Sequence, residues 1–161
     1  LNKSAGAKKG KVRYNLKQAN SLVRETMKEG TVLDKIAVKF KKLVSWAHVP
    51  EYETRGAVGC DICLATQDEI ILYPSEVKSL PTGFAMMIPS GYAAEIRSRA
   101  GMAGKGIIVA NAPATIDGEH IGEIKVMLLN VTDKPIRILP GQKVAQMVFG
   151  PVVQATFAEE S

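Results

Sequence analysis

Cysteine is scarce in this 161-residue chain: there are two, Cys60 and Cys63. Two thiols cannot build a disulfide framework, so a secreted, disulfide-stapled scaffold is excluded. Long apolar runs are missing as well. No window approaches the ~20 consecutive apolar residues of a membrane span. The basic first residues also lack the apolar stretch of a signal peptide, so a cytoplasmic location is expected. Aromatic residues make up only 6% of the chain. What is present is the ordinary balance of a globular protein, 46% hydrophobic and 23% charged. The length suits one sizeable core and is short for two.

The net charge of +5 is unevenly placed. Residues 1–42 hold 12 Lys and Arg against Glu25, Glu29 and Asp34, a charge of +9. The remainder holds 9 Lys and Arg against 13 acids, a charge of −4. Residues 1–11 are small, polar and basic, with no face to bury, and read as disordered when free. Leu16, Ala19, Val23 and Met27 recur at helical spacing between Asn15, a plausible N-cap, and Gly30, a plausible stop. Residues 1–35 therefore read as a basic, partly helical N-terminal arm, and 36–161 as the body. Such an arm suits an anionic or protein partner. Its region offers only Tyr14 and Phe40 as aromatics, too few for a surface on which single-stranded nucleic acid stacks.

After Asp34 the apolar period changes from 3.6 to 2, with Ile36, Val38 and Phe40 alternating with Ala37, Lys39 and Lys41. Short apolar runs follow, each closed by a turn signal. They are 69–73 before Pro74, 84–88 before Pro89-Ser90-Gly91, 92–96, 107–110, 121–131 before Thr132-Asp133-Lys134-Pro135, 136–139 before Pro140-Gly141, and 144–149 before Gly150-Pro151. Short strands at this spacing, without a long helical window, predict an all-β sandwich or barrel.

Polar groups that could carry chemistry sit beside four Gly-rich turns. In Gly59-Cys60-Asp61-Ile62 an aspartate lies inside an apolar strand, costly to bury unless paired. In Ser98-Arg99-Ala100-Gly101-Met102 a strand-end arginine flows into a small-residue turn, where guanidinium and backbone amides suit phosphate oxygens. Asn111 through Asp117 reads as a tight hairpin, and Gly118 through Glu123 as a carboxylate-rich turn. The fourth is Pro140-Gly141-Gln142-Lys143-Val144-Ala145-Gln146. Cys60 and Cys63 share a Cys-x-x-Cys spacing, but a three-residue offset on a strand sends them to opposite faces, and no further Cys/His pair is near to complete a metal site.

Taken in order, these four motifs resemble the trimeric dUTPase family over about residues 39–157. The resemblance implies a jelly-roll-like subunit that assembles as a homotrimer, with active sites between subunits that hydrolyse dUTP to dUMP and pyrophosphate. Mg2+ would be chelated by the triphosphate, with no metal site of the protein's own. By position, Asp117 would be the general base for the attacking water. Arg99 and Gln146 would contact phosphate oxygens, beside Ala100 and Gly101. Asp61 would pair with and orient arginine. Asn111 and Ile116, on the hairpin, would read the uracil edge, and His120 would lie at the sugar.

Four features depart from the family pattern. Ala100 stands where a serine is usual, Ala114 where glycine is usual, and His120 where a tyrosine packs under the deoxyribose. The Gly-rich motif that carries Arg and Phe has no counterpart up to Ser161; either it lies outside this sequence or the site has decayed. Two readings follow. The first is a dUTP diphosphatase. The second is a catalytically degraded trimer of the same fold, a structural or binding protein such as a viral particle or decoration component, virion-associated through its basic arm.

Overall fold

The computed structural model describes residues 35–160. The N-terminal arm, apart from Lys35, and the helix expected within it lie outside the described residues. Twelve strands follow in chain order: β1 (Lys39–Lys42), β2 (Glu51–Tyr52), β3 (Cys60–Cys63), β4 (Ile70–Leu72), β5 (Val77–Pro81), β6 (Phe84–Met87), β7 (Tyr92–Ser98), β8 (Ile107–Val109), β9 (Ala114–Ile116), β10 (Lys125–Asn130), β11 (Ile136–Ile138) and β12 (Lys143–Pro151). One helical turn, α1 (Ala100–Ala103), interrupts them where a small-residue turn is expected. None of the described helices is long and apolar enough to cross a membrane.

The strands form a five-stranded sheet in the order β2-β3-β12-β7-β9, a three-stranded sheet β5-β10-β8, and two pairs, β1-β6 and β11-β4. All pairings are antiparallel. Alternation decides what each strand buries. On β10, Val126, Leu128 and Asn130 point inward while Lys125 and Met127 face out. On β3, Cys60 and Ile62 enter the core while Asp61 and Cys63 lie on the other face. The core collects Ile62, Leu64, Leu72, Phe84, Ile96, Ile107, Ile124, Leu128, Ile138, Val144 and Met147.

Buried Asn130 shows how a polar residue is kept inside. Its Nδ2 donates to the Leu72 and Lys134 carbonyls at 2.9 and 2.7 Å. Its Oδ1 accepts from the Thr132 amide and hydroxyl at 2.9 and 2.8 Å. With its partners in place the side chain ties β10 to the 131–135 turn at little net cost.

The apolar run 121–131 is only partly strand. Gly122 turns with a φ of 131°, and pairing begins at Lys125. Of the methionines along these strands and turns, Met86, Met102 and Met147 are buried, whereas Met87 and Met127 are more than a third exposed.

Candidate active site

The site begins on three adjacent strands. Register places Asp61 of β3 opposite Gln146 of β12, and Gln146 opposite Arg97 of β7. Asp61 lies in the row that faces away from the core, and its carboxylate is 11% exposed. β7 ends at Ser98, and Arg99 is the residue that caps α1, so its side chain sits beside the end of β3. Arg99 Nε lies 2.7 Å from Asp61 Oδ1, and Nη2 donates to Oδ2 at 3.0 Å. Two parallel charge-assisted bonds fix the guanidinium plane, which a single lysine contact would not do. A third bond runs from Arg99 Nη1 to the Lys143 carbonyl at 3.2 Å.

Gln146 is held beside this pair. Its Nε2 donates to the Ser98 carbonyl at 3.0 Å. A Cβ on Gly59 would lie 2.3 Å from Gln146 Oε1, so the glycine at the start of the first motif leaves room for the end of the Gln146 side chain in this position. Ser98 Oγ in turn accepts the Val109 amide at 2.9 Å, which seats the start of the hairpin next to the arginine.

The hairpin itself runs away from the cluster. β9 pairs with β7 through Ile96↔Ala114 and Ala94↔Ile116. Exposed Asn111 and the cis Ala112–Pro113 bond lie at the Ser98 end. Exposed Asp117 lies past Ile116 at the opposite end. Arg99 is five residues beyond Ala94, about 17 Å along the strand at ~3.3 Å per residue. The His120 amide donates to the Asp117 carbonyl at 3.3 Å, closing the turn, and His120 Nε2 is buried without a partner. One chain thus gathers Asp61, Arg99 and Gln146, with Asn111 near them and Ala100 and Gly101 exposed on α1. It leaves Ile116, Asp117 and His120 toward the far end of the hairpin.

Two further charged residues enter the cluster. Lys143 Nζ lies 3.1 Å from Asp61 Oδ2 and also bonds the Glu53 carboxylate. The hydrogen bond to Glu53, and then that to Asp61, hold the Lys143 ammonium above the usual lysine range. Sequence alternation could not find Lys143, because a β-bulge between Lys143 and Ala145 shifts its register. Cys60 and Cys63 do lie on opposite faces. The Cys60 thiol donates to the Met147 carbonyl at 3.4 Å, and burial pushes its pKa up to about 11. Burial also raises that of Cys63. Among the described residues, no group of three or more His, Cys, Asp or Glu could cage a metal ion.

Comparison with known proteins gives the family and the fold of the chain. Residues 45–161 match the dUTPase family model. The deoxyuridine 5'-triphosphate nucleotidohydrolase of Chlamydia pneumoniae is 44% identical over 119 residues, 73% of this chain and 82% of that protein. The enzyme of that name from Rickettsia prowazekii is 40% identical over 128 residues, 78% and 86% of the two chains. Among solved structures, the dUTPase of Staphylococcus bacteriophage 80alpha, solved with dUPNHPP, is similar with a TM-score of 0.70 at 22% identity, covering 76% of this chain and 87% of that one. A dUTPase from phage phi11 of S. aureus, described with a structural Mg(II) ion, is similar with a TM-score of 0.69 at 21% identity, covering 76% and 95%. These likenesses show a jelly-roll-like β fold. The motifs and the relatives at 40–44% identity converge on one conclusion: the chain belongs to the dUTPase family.

Proposed function

We propose that the protein hydrolyses dUTP to dUMP and pyrophosphate, taking the nucleotide as its magnesium complex. The observation that carries this reading is the bidentate Asp61–Arg99 pair with Gln146 beside it, in a chain of this family. Of the five N–H groups of Arg99, three are engaged within the protein. Two remain for phosphate oxygens, already oriented, so little reorganisation is needed when charge develops on them. Asp61 acts as the fixed anchor of that guanidinium. Magnesium would sit on the triphosphate oxygens and would offset phosphate charge.

Asp117 is exposed and so within reach of water. It would orient a water toward the α-phosphorus and accept its proton as the pyrophosphate leaves. The strand geometry, about 17 Å between the Arg99 and Asp117 ends, supports a site completed by a second subunit in a homotrimer. Asn111 and Ile116 would read the uracil edge from the hairpin, and His120 would lie at the sugar. None of the relatives favours the degraded, non-catalytic reading, and pull-down with and without residues 1–35 tests whether the arm binds a partner.

Mixing two inactive variants tests both the chemistry and the shared site. Asp117→Asn and Arg99→Ala trimers should each be inactive alone. After co-refolding, one intact site forms in each mixed trimer, and activity should return to up to about a quarter of wild type. No recovery, with mixed trimers verified by mass, would contradict the shared site. No pyrophosphate release by the unmutated protein would contradict the activity itself.

A further inference from the structure

The charge cluster extends beyond the residues to which the family resemblance gives a role. Glu53, Lys143, Asp61 and Arg99 form an alternating ladder of negative and positive groups, from just past β2 across β12 and β3 to just past β7. Lys143 reaches it only because of the β-bulge. Lys143 and Gln146 are three residues apart, and on a regular strand they would point to opposite faces. The bulge sets Lys143 opposite Cys63 and Ala145 opposite Ile62, leaving Val144 as the extra residue, with both Val144 and Ala145 buried. Lys143 is thereby returned to the face that carries Asp61 and Gln146. Bulges beside functional sites commonly re-aim a side chain in this way.

We infer that Lys143 is a positioning residue for the hydrolysis, acting on Arg99 through Asp61, with Glu53 as its tether; this rests on the reading of the protein as a dUTP hydrolase. Lys143 Nζ is already claimed by two carboxylates, Asp61 at 3.1 Å and Glu53. A lysine so neutralised has little charge to offer a triphosphate, whereas Arg99 keeps two N–H groups free. The Asp61 Oδ2 atom receives both Arg99 Nη2 and Lys143 Nζ. Without the lysine, the carboxylate can rotate about its side-chain torsion and carry the guanidinium with it. The Asp61 carboxylate is 11% exposed, so water replaces the lost donor poorly. Glu53 is 69% exposed and touches none of the other groups directly except through Lys143, which makes it dispensable in a background that lacks the lysine.

The experiment compares the full chain with Lys143→Met, Lys143→Arg, Glu53→Gln and the Glu53→Gln/Lys143→Met double variant. The readouts are kcat and KM for magnesium-dUTP, the melting temperature, and the water-exchange rate of the Arg99 Nε–H by 15N-edited NMR without nucleotide. Lys143→Met should lower kcat about tenfold, a fraction of what a 1 Å misplacement costs, and leave KM within about twofold. Lys143→Arg should restore most of it. Glu53→Gln should fall between, and the double variant should match Lys143→Met, since Glu53 acts only through the lysine. The Arg99 Nε–H should exchange several-fold faster in Lys143→Met at unchanged melting temperature. A raised KM with unchanged kcat would make Lys143 a phosphate ligand and overturn the positioning role. So would unchanged Nε–H exchange. Because the exchange measurement needs no turnover, it decides the inference even if wild-type protein releases no pyrophosphate, a result that would count against the hydrolase reading alone.

Discussion

Gly59→Ala separates activity from stability in a way the structure makes quantitative. The new Cβ would lie 2.3 Å from Gln146 Oε1, 3.2 Å from its Cδ and 3.4 Å from its Cβ. Gly59 is not among the glycines with positive φ, so the backbone itself accepts alanine. Relief must come from the flexible end of Gln146, which has to withdraw by about 1 Å to reach ordinary van der Waals separation. That movement breaks the 3.0 Å bond from Nε2 to the Ser98 carbonyl. The stability cost is one hydrogen bond, about 0.5–1.5 kcal/mol. The reduced chain entropy of the unfolded alanine variant offsets roughly 0.4–1 kcal/mol of it. The melting temperature should therefore move by only a few degrees. If Gln146 contacts a phosphate oxygen, a misplacement of that size lowers kcat/KM about a hundredfold. Pyrophosphate release and thermal denaturation, measured on the same samples, give both numbers. In a Gln146→Ala background the clash is gone, and Gly59→Ala should add nothing further. Wild-type kcat/KM in the single variant, or a further loss in the double, would refute the reasoning.

Other expectations follow from neighbouring positions. Ala100→Ser places a hydroxyl on the first residue of α1, next to Arg99, and should raise kcat by about tenfold or more if it reaches a transition-state oxygen; steady-state kinetics decide it. His120→Tyr places at the proposed sugar position the residue usual in the family. It should raise the preference for dUTP over UTP, read as the ratio of kcat/KM values. The buried Cys60 thiol has its pKa raised from 9.0 to about 11, so the folded state holds its proton where the unfolded chain releases it. Its contribution is complete below pH 9 and is lost as pH rises toward 11. Denaturant midpoints should fall across that window, and less steeply in Cys60→Ala.

Much of the β framework was legible because its strands alternate and end on Pro/Gly signals. The runs at 84–88, 92–96, 107–110, 136–139 and 144–149 each contain a strand. β5 escaped because Val77–Pro81 is half exposed and carries Lys78 and Ser79 between its apolar residues. The run at 121–131 was over-read because hydropathy does not register the turn at Gly122. At the site, Asp61, Arg99 and Gln146 were legible as motif members, and the sheet order explains their meeting. Lys143, although a member of the fourth motif, was not legible as a partner of Asp61, since that contact depends on a bulge, and Glu53 was not legible because it meets Lys143 only through the β2-β3-β12 sheet order. The separation of Asp117 from Arg99 was equally invisible along the chain. It emerges only from the direction in which β9 pairs with β7.

The most direct test is pyrophosphate release from magnesium-dUTP by the full chain, run beside dCTP and UTP and beside the Asp117→Asn variant. The expected result is dUMP and pyrophosphate in equal amounts, a preference for dUTP, and a loss of about a thousandfold or more without the Asp117 base and its water contact. Absence of release from dUTP, or a rate untouched by Asp117→Asn, would contradict it.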